Sequence, residues 1–154
     1  MNHVQQRRLT GVALVAVLIS AAPTTAAAQE GSAVVQYRQS LMEAFRTHMG
    51  GVRAALGDAA PIGHAEHHAV AFERMAQALA NAFPAGSAGE GSRALPAIWE
   101  NRDDFMNKVS AIQTATAGLV TATRSGDADT IGEALQAVQG TCGSCHDAYR
   151  GPAN

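Results

Sequence analysis

The sequence feature that most constrains this chain is a short run near its C-terminus. It reads Cys142-Gly143-Ser144-Cys145-His146, a C-x-x-C-H pattern. Two thiols three residues apart lie on nearly one face of a helix, so both can add to the vinyl groups of one haem, and the adjacent imidazole can bind its iron. C-x-x-C-H is the attachment signature of c-type haem. The sequence therefore predicts one haem c, covalently attached through Cys142 and Cys145, with His146 as an axial ligand.

Two other interpretations of the motif are less compatible with the rest of the chain. The chain has two cysteines, and both belong to this run. A redox-active C-x-x-C pair usually begins a helix in a βαβ setting, and the sequence shows no strand pattern. A structural zinc site needs four ligands, and there is no second cysteine pair. The surrounding sequence thus favours haem attachment.

The N-terminus has the organisation of a secretory signal peptide. Arg7 and Arg8 precede an apolar stretch at residues 9–22, and a small-residue site of the A-x-A type ends at Ala28. The apolar stretch is shorter than the roughly 20 residues that span a bilayer, which argues against the alternative of an uncleaved membrane anchor. We therefore predict a signal peptide over 1–28, cleaved near Ala28, and a single mature domain over 29–154.

The mature domain is mildly acidic. Loss of Arg7 and Arg8 with the leader lowers the Lys and Arg count from 11 to 9 against 13 Asp and Glu, which leaves a formal charge of −4. No basic patch indicates nucleic acid, and no polybasic segment indicates anionic lipid. We expect neither a nucleic-acid partner nor membrane insertion of the mature chain.

Four stretches of the mature chain place apolar residues at three- and four-residue steps, the period of one helix face. A single turn is predicted at 95–100, where Pro96 occupies a helix-starting position. Gly86, Gly89 and Gly91 predict a flexible loop before it. The expected fold is all-α, an antiparallel up-down-up-down four-helix bundle. The predicted helices cover 32–56, 63–83, 102–124 and a segment that starts near Asp127 or Asp129.

The fourth helix links this fold to the haem motif. Its inner face runs through Ile131, Leu135 and Val138 and continues to Cys142 and Cys145. We therefore expect the haem to be attached where this helix faces its neighbours. The fold alone would also allow a haem-free four-helix interaction module, and that interpretation stays open here.

A single haem motif on the last helix of a four-helix bundle resembles the class II c-type cytochromes, which comprise cytochrome c′ and its low-spin relative cytochrome c-556. The resemblance spans essentially the whole mature chain. It implies a periplasmic location, because bacteria couple haem to these proteins outside the cytoplasm. The strongest matching segments are YRQSLM at 37–42, LPAIW at 95–99 and CGSCHDAYR at 142–150.

The resemblance also assigns roles to individual residues. Cys142 and Cys145 correspond to the thioether-forming cysteines and His146 to the proximal axial ligand. Arg38 and Gln39 resemble first-helix residues that lie along the haem edge and hydrogen-bond its propionates. Arg150, one helical turn after His146, resembles the family arginine beside the proximal imidazole.

The residue at Met42 decides which kind of class II cytochrome the resemblance implies. In the c-556 type a methionine at this position ligates the iron, whereas in cytochrome c′ a non-ligating side chain crowds an empty site that takes nitric oxide or carbon monoxide. Leu41-Met42 after Arg38 matches the c-556 pattern. The main expectation is a low-spin haem with His146 and Met42 as axial ligands, which carries one electron between redox partner proteins and transforms no substrate. The alternative is a five-coordinate, gas-binding cytochrome c′ with His146 as the sole protein ligand.

Other candidate ligands fit the pattern less well. Met49, Met75 and Met106 have the spacing of core residues, and His48 on the first helix is a weaker competitor that would give a His/His haem. Family members often dimerise through their first two helices, and the alanine-rich faces of this chain would allow a homodimer.

A separate histidine cluster, His64, His67 and His68 in the run HAEHH, begins the second predicted helix. Its spacing suits two metal ligands on one helix face, but it is not H-E-x-x-H and lacks an assigned third ligand. We expect it to be pH-sensitive surface charge.

Overall fold

The structure is a computed structural model that describes the backbone of residues 24–152 and the side chains of residues 33–152. Most of the predicted leader, including its apolar stretch, lies outside the described residues, so the signal peptide stays a prediction. The described chain forms a helical bundle without a strand between residues 24 and 152. Its helices are α1 (Thr24–Leu56), α2 (His64–Ala78), α3 (Ala97–Glu100), α4 (Arg102–Thr123) and α5 (Ala128–Tyr149).

The helices follow the predicted ones closely, with differences at two ends. Helix α1 begins at Thr24, earlier than the predicted start at residue 32, because the alanines at 26–28 favour helix. Helix α2 ends at Ala78 and gives way to a 3₁₀ turn, Leu79–Asn81, before Pro84. Asp127 caps α5, since its carboxylate accepts a hydrogen bond from the backbone N–H of Thr130 at 2.8 Å.

The four long helices form the predicted up-down-up-down bundle. Helix α1 packs along α2, α2 along α4, and α4 along α5. Helices α1 and α5 touch each other far less than these pairs do. The bundle is therefore open along the line where its first and last helices meet, and this opening positions the site.

The core lies between the other helix pairs. Phe72 of α2 is 0% exposed, and its ring centroid lies 5.0 Å from that of Phe45 on α1. Residues at three- and four-residue steps along α4 are buried, namely Phe105, Val109, Ile112, Thr116 and Leu119. Among the described residues, no helix has the length and apolarity needed to cross a bilayer. The largest fully buried side chains are those of Phe72, Ile98, Leu119, Ile131, Val52, Val138 and Thr116.

The segment between Pro84 and Pro96, called here the 84–96 loop, is held in place rather than flexible as predicted. Leu95 N–H donates to Tyr149 O at 3.0 Å, and Gly151 N–H donates to Arg93 O at 2.8 Å, so the loop's end pairs with the end of α5. Gly91 has φ 75°, a left-handed conformation that glycine adopts without steric cost. The glycines shape this loop, and hydrogen bonds from distant residues fix it.

Candidate functional site

A cavity of about 510 Å³ lies where α1 and α5 separate. Helix α1 contributes Met42 and Phe45 to its walls, and α5 contributes Cys142, Cys145 and His146. Helix α4 and the 84–96 loop contribute further residues, as do Leu79, Phe83 and Ile98, and the lining is mostly apolar. The structure thus brings the C-x-x-C-H residues and Met42, about a hundred residues apart in sequence, into one hollow.

The side chains in this hollow fit a covalently attached haem. Cys142 and Cys145 are half-buried free thiols on the cavity wall of α5, and burial raises the pKa of both. The apolar walls suit a porphyrin face, and the two thiols suit thioether bonds. Among the described side chains, no group of three or more His, Cys, Asp or Glu is arranged around a possible metal ion.

His146 is placed to act as the axial ligand. Its imidazole is half-buried on the cavity wall. Burial lowers the pKa of His146, and the neighbouring charges of Arg150 and Arg93 lower it further. These effects favour the neutral imidazole that a metal ligand requires. Arg150 Nη1 lies 3.4 Å from His146 Nδ1, as the predicted one-turn spacing implied.

The two polar residues predicted for the haem edge, Arg38 and Gln39, both line the cavity and also hold the 84–96 loop. Arg38 is only 5% exposed, and it donates to Ser87 Oγ at 2.7 Å, Ser87 O at 2.6 Å and Ser92 Oγ at 3.2 Å. Gln39 Nε2 donates to Gly91 O at 3.1 Å. Contact between these side chains and haem propionates stays a prediction.

His48 does not line the cavity. Its Nδ1 atom lies 3.1 Å from Nδ1 of His68 on α2, away from the C-x-x-C-H residues. The His/His haem considered from the sequence is therefore not supported, since the half-buried His48 imidazole faces another helix. Among the other methionines, Met49 lines the cavity, whereas Met75 and Met106 pack against the core.

A sequence model of the cytochrome c′ family matches residues 33–150, which is most of the chain. The chain belongs to the cytochrome c′ family. Proteins of this family carry covalently attached haem c, and Cys142 and Cys145 are placed for that attachment.

Three relatives illustrate the range of the family. Cytochrome c′ from Rhodospirillum rubrum is 34% identical over 94% of this chain and 98% of its own length. Cytochrome c-556 from Agrobacterium tumefaciens strain II Chrys is 36% identical over 75% of this chain and 95% of its own length. A solved nitric oxide complex of a cytochrome c prime variant from Alcaligenes xylosoxidans has a TM-score of 0.72 and 29% identity, and covers 80% of this chain and 97% of that one.

The expectation of a low-spin electron carrier with His146 and Met42 as axial ligands is wrong. The relative that matches nearly the whole chain is a cytochrome c′, and the solved neighbour holds nitric oxide. These findings favour the five-coordinate alternative. The error has a physical reason: an unbranched, flexible methionine fills an apolar wall as readily as it ligates iron, and its helical spacing is the same in both roles. Met42 is half-buried on that wall.

Sequence reasoning missed three polar residues at this cytochrome c′ site. Arg93 lines the cavity and donates from Nη2 to Gly151 O at 2.6 Å. Lys108 also lines it and donates from Nζ to Ser144 Oγ at 2.8 Å, inside the C-x-x-C-H run. Tyr149 also lines the cavity and donates its hydroxyl to Asp104 at 2.6 Å. The only sequence signal for Arg93 was its position beside the LPAIW segment. The Lys108–Ser144 and Tyr149–Asp104 hydrogen bonds join α4 to α5, so no local pattern predicts them.

Replacement of Arg38 by lysine tests the hold of α1 on the 84–96 loop. Lysine keeps the charge but cannot reproduce the planar fork that serves two serines at once. We expect the free energy of unfolding to fall by about 1–2 kcal/mol, the usual worth of lost hydrogen bonds from a charged donor. Urea denaturation of the haem-loaded protein measures it. Arg53→Lys, an exposed site on the same helix, is the matched control and should change stability by less than about 0.5 kcal/mol.

Replacement of Tyr149 by phenylalanine should make the free energy of unfolding fall less steeply as the pH rises above about 10. The hydrogen bond to Asp104, with burial second, raises the pKa of Tyr149 to about 12, against about 10 for an ordinary tyrosine. Folding therefore favours the protonated phenol. The contribution of the Tyr149 hydroxyl to the free energy of unfolding is full below about pH 10 and disappears as the pH rises to about 12. Denaturation measured across that range should show a shallower decline in Tyr149→Phe than in the native protein. Equal slopes would show that this hydroxyl does not titrate as inferred.

Proposed function

We propose that this chain is a five-coordinate cytochrome c′ that binds nitric oxide or carbon monoxide, with His146 as the only protein ligand of the haem iron. The observation that carries the proposal is its likeness, over 80% of its length, to a cytochrome c prime whose structure holds nitric oxide. A bound haem would supply an iron that can take up a small diatomic gas.

The residues of the chain support this function from two sides of the cavity. Cys142 and Cys145 tether the haem to α5, and His146 supplies the proximal imidazole. Arg150, within 3.4 Å of His146 Nδ1, limits how that ring can turn. On α1, Met42 and Phe45 present apolar surface to the cavity, which excludes water and larger ligands and leaves room for a small uncharged gas.

We also propose that the mature domain is exported, which would place it in the periplasm. The basic pair, apolar stretch and A-x-A site before Gln29 support a cleaved leader. Mass spectrometry of the secreted, haem-loaded protein tests this, and a mature N-terminus near Gln29 is expected.

The optical spectrum of the purified ferric protein tests the gas-binding proposal. We expect a high-spin ferric spectrum and a large spectral change when the ferrous protein meets carbon monoxide or nitric oxide. A low-spin ferric spectrum with a Met-to-Fe(III) charge-transfer band, together with a ferrous form that is inert to both gases, would contradict the proposal.

A further inference from the structure

A pair of histidines joins α1 to α2 outside the haem cavity. His48 of α1 and His68 of α2 have their Nδ1 atoms 3.1 Å apart, with ring centroids 5.3 Å apart and planes at 54°. Both side chains are half-buried. Neither lines the haem cavity, and the gas-binding function uses neither of them.

Small residues fix this close approach. A Cβ atom at Gly51 would lie 2.4–2.5 Å from three ring atoms of His68, a separation that real Cβ atoms do not tolerate. Gly51 therefore lets the His68 ring lie against the backbone of α1. Ala65 and Ala69, which flank His68 on α2, are both fully buried. Gly51 thus makes room for the contact between the two tilted rings.

A separation of 3.1 Å between two imidazole nitrogens fits a shared proton or a shared cation. Imidazole nitrogens bind Zn²⁺ at about 2.0–2.1 Å, so two of them at common ligand angles lie about 2.9–3.4 Å apart. The separation of the two Nδ1 atoms falls in that range. Partial exposure lets a hydrated cation reach the pair and keep water on its remaining positions. Imidazole suits Zn²⁺, Cu²⁺ and Ni²⁺ and is a poor ligand for Mg²⁺ or Ca²⁺.

We propose that His48 and His68 form a two-histidine site that binds a divalent transition-metal cation of the Zn²⁺, Ni²⁺ and Cu²⁺ class through their Nδ1 atoms. The bound cation bridges α1 and α2. Water completes the coordination, because no third His, Cys, Asp or Glu of the described side chains joins the pair. Binding is therefore reversible and weaker than at zinc sites with three or four protein ligands.

The neighbouring histidines do not form this bridge. His64 and His67 lie at the exposed start of α2, with ring centroids 5.9 Å apart. They belong to the same helix, so a cation bound to them alone would not link α1 to α2. This difference makes them the matched control for the experiment.

Calorimetric titration of the untagged, haem-loaded ferric protein with Ni²⁺ tests the proposal. The haem occupies His146 in this form, which removes that imidazole as a competitor. We expect one Ni²⁺ per chain, and an affinity at least about 10-fold lower in His48→Gln and in His68→Gln. Gly51→Ala should lower it as well, because the added Cβ displaces the His68 ring without removing a nitrogen. The His64→Gln/His67→Gln double variant should bind within about threefold of the native protein.

Thermal unfolding with and without Ni²⁺ gives a second readout. The cation should raise the melting temperature of the native protein and of the His64→Gln/His67→Gln variant, and leave that of His68→Gln unchanged. Far-UV circular dichroism checks that each variant is folded. If Gly51→Ala does not fold, the comparison of His68→Gln with the native protein tests the site.

No Ni²⁺ binding to the native protein would show that the pair shares only a proton. Loss of binding in the His64→Gln/His67→Gln variant with retention in His48→Gln would place the site elsewhere. Either result overturns the proposal.

Discussion

Met42→Ala is expected to tighten carbon monoxide binding to the ferrous protein by about 100-fold, which corresponds to about 2.8 kcal/mol. Met42 is half-buried on the α1 wall of the cavity, and packs against the core. Under the proposed function, a gas that reaches the iron from the α1 side must share the cavity with the Met42 side chain. Truncation to alanine removes the thioether and opens that space. Flash photolysis of the carbon monoxide complex measures the association rate, which should carry most of the gain.

The ferric spectrum of the same variant separates crowding from ligation. If Met42 only crowds the site, the spectrum of Met42→Ala stays high-spin like that of the native protein. Met42→Leu, which conserves volume, should bind carbon monoxide nearly as the native protein does. Met75→Ala removes the same atoms from α2 outside the cavity and should leave gas binding unchanged. A change from low-spin to high-spin in Met42→Ala would reveal a sulfur ligand and contradict the proposed function.

Local sequence signals predicted the elements of this bundle well. The inner face of α4 and the aspartate cap of α5 depend on residues three or four positions apart, so their pattern is visible in a single sequence. Of the two aspartates predicted to start the fourth helix, Asp127 and Asp129, the structure has Asp127 as the cap of α5. Cys142 and Cys145 continue the stripe of Leu135 and Val138 into the cavity, so the same helical spacing predicted the link between the motif and the fold.

Interactions between distant segments could not be predicted in the same way. Arg38 is buried because Ser87, 49 residues later, accepts its hydrogen bonds. The three glycines near Ser87 predicted freedom for the 84–96 loop, yet partners on α1 and at the end of α5 hold that loop. Ligation by Met42 depends on the position of its sulfur atom at the end of a flexible side chain. The spacing of residues along a helix face does not determine that position.

The haem-free chain is expected to keep much of its helix but lose fixed tertiary packing. The cavity of about 510 Å³ has mostly apolar walls, and without haem these walls meet water, so the chain loses the stabilisation that burial of this apolar surface would give. An ordinary domain is stabilised by only roughly 5–15 kcal/mol, so losing the contacts of a group as large as haem is expected to have a large effect. Helices α1 and α5 make few contacts with each other, so little holds them in their relative positions once the space between them is unfilled.

Near-UV and far-UV circular dichroism of protein made without haem attachment measure this effect, with hydrogen exchange to locate it. We expect the near-UV signal to be lost, the far-UV signal to be largely kept, and dye binding to exposed apolar surface to appear, as in a molten globule. The double variant Cys142→Ser/Cys145→Ser, loaded with non-covalent haem, is the matched control. It should recover the near-UV signal if filling the cavity is what orders the bundle, because it lacks the thioether bonds but not the porphyrin. Cooperative unfolding of the haem-free chain at the stability of the haem-loaded protein would show instead that α1 and α5 close on each other, and that the cavity is a consequence of haem rather than a preformed site.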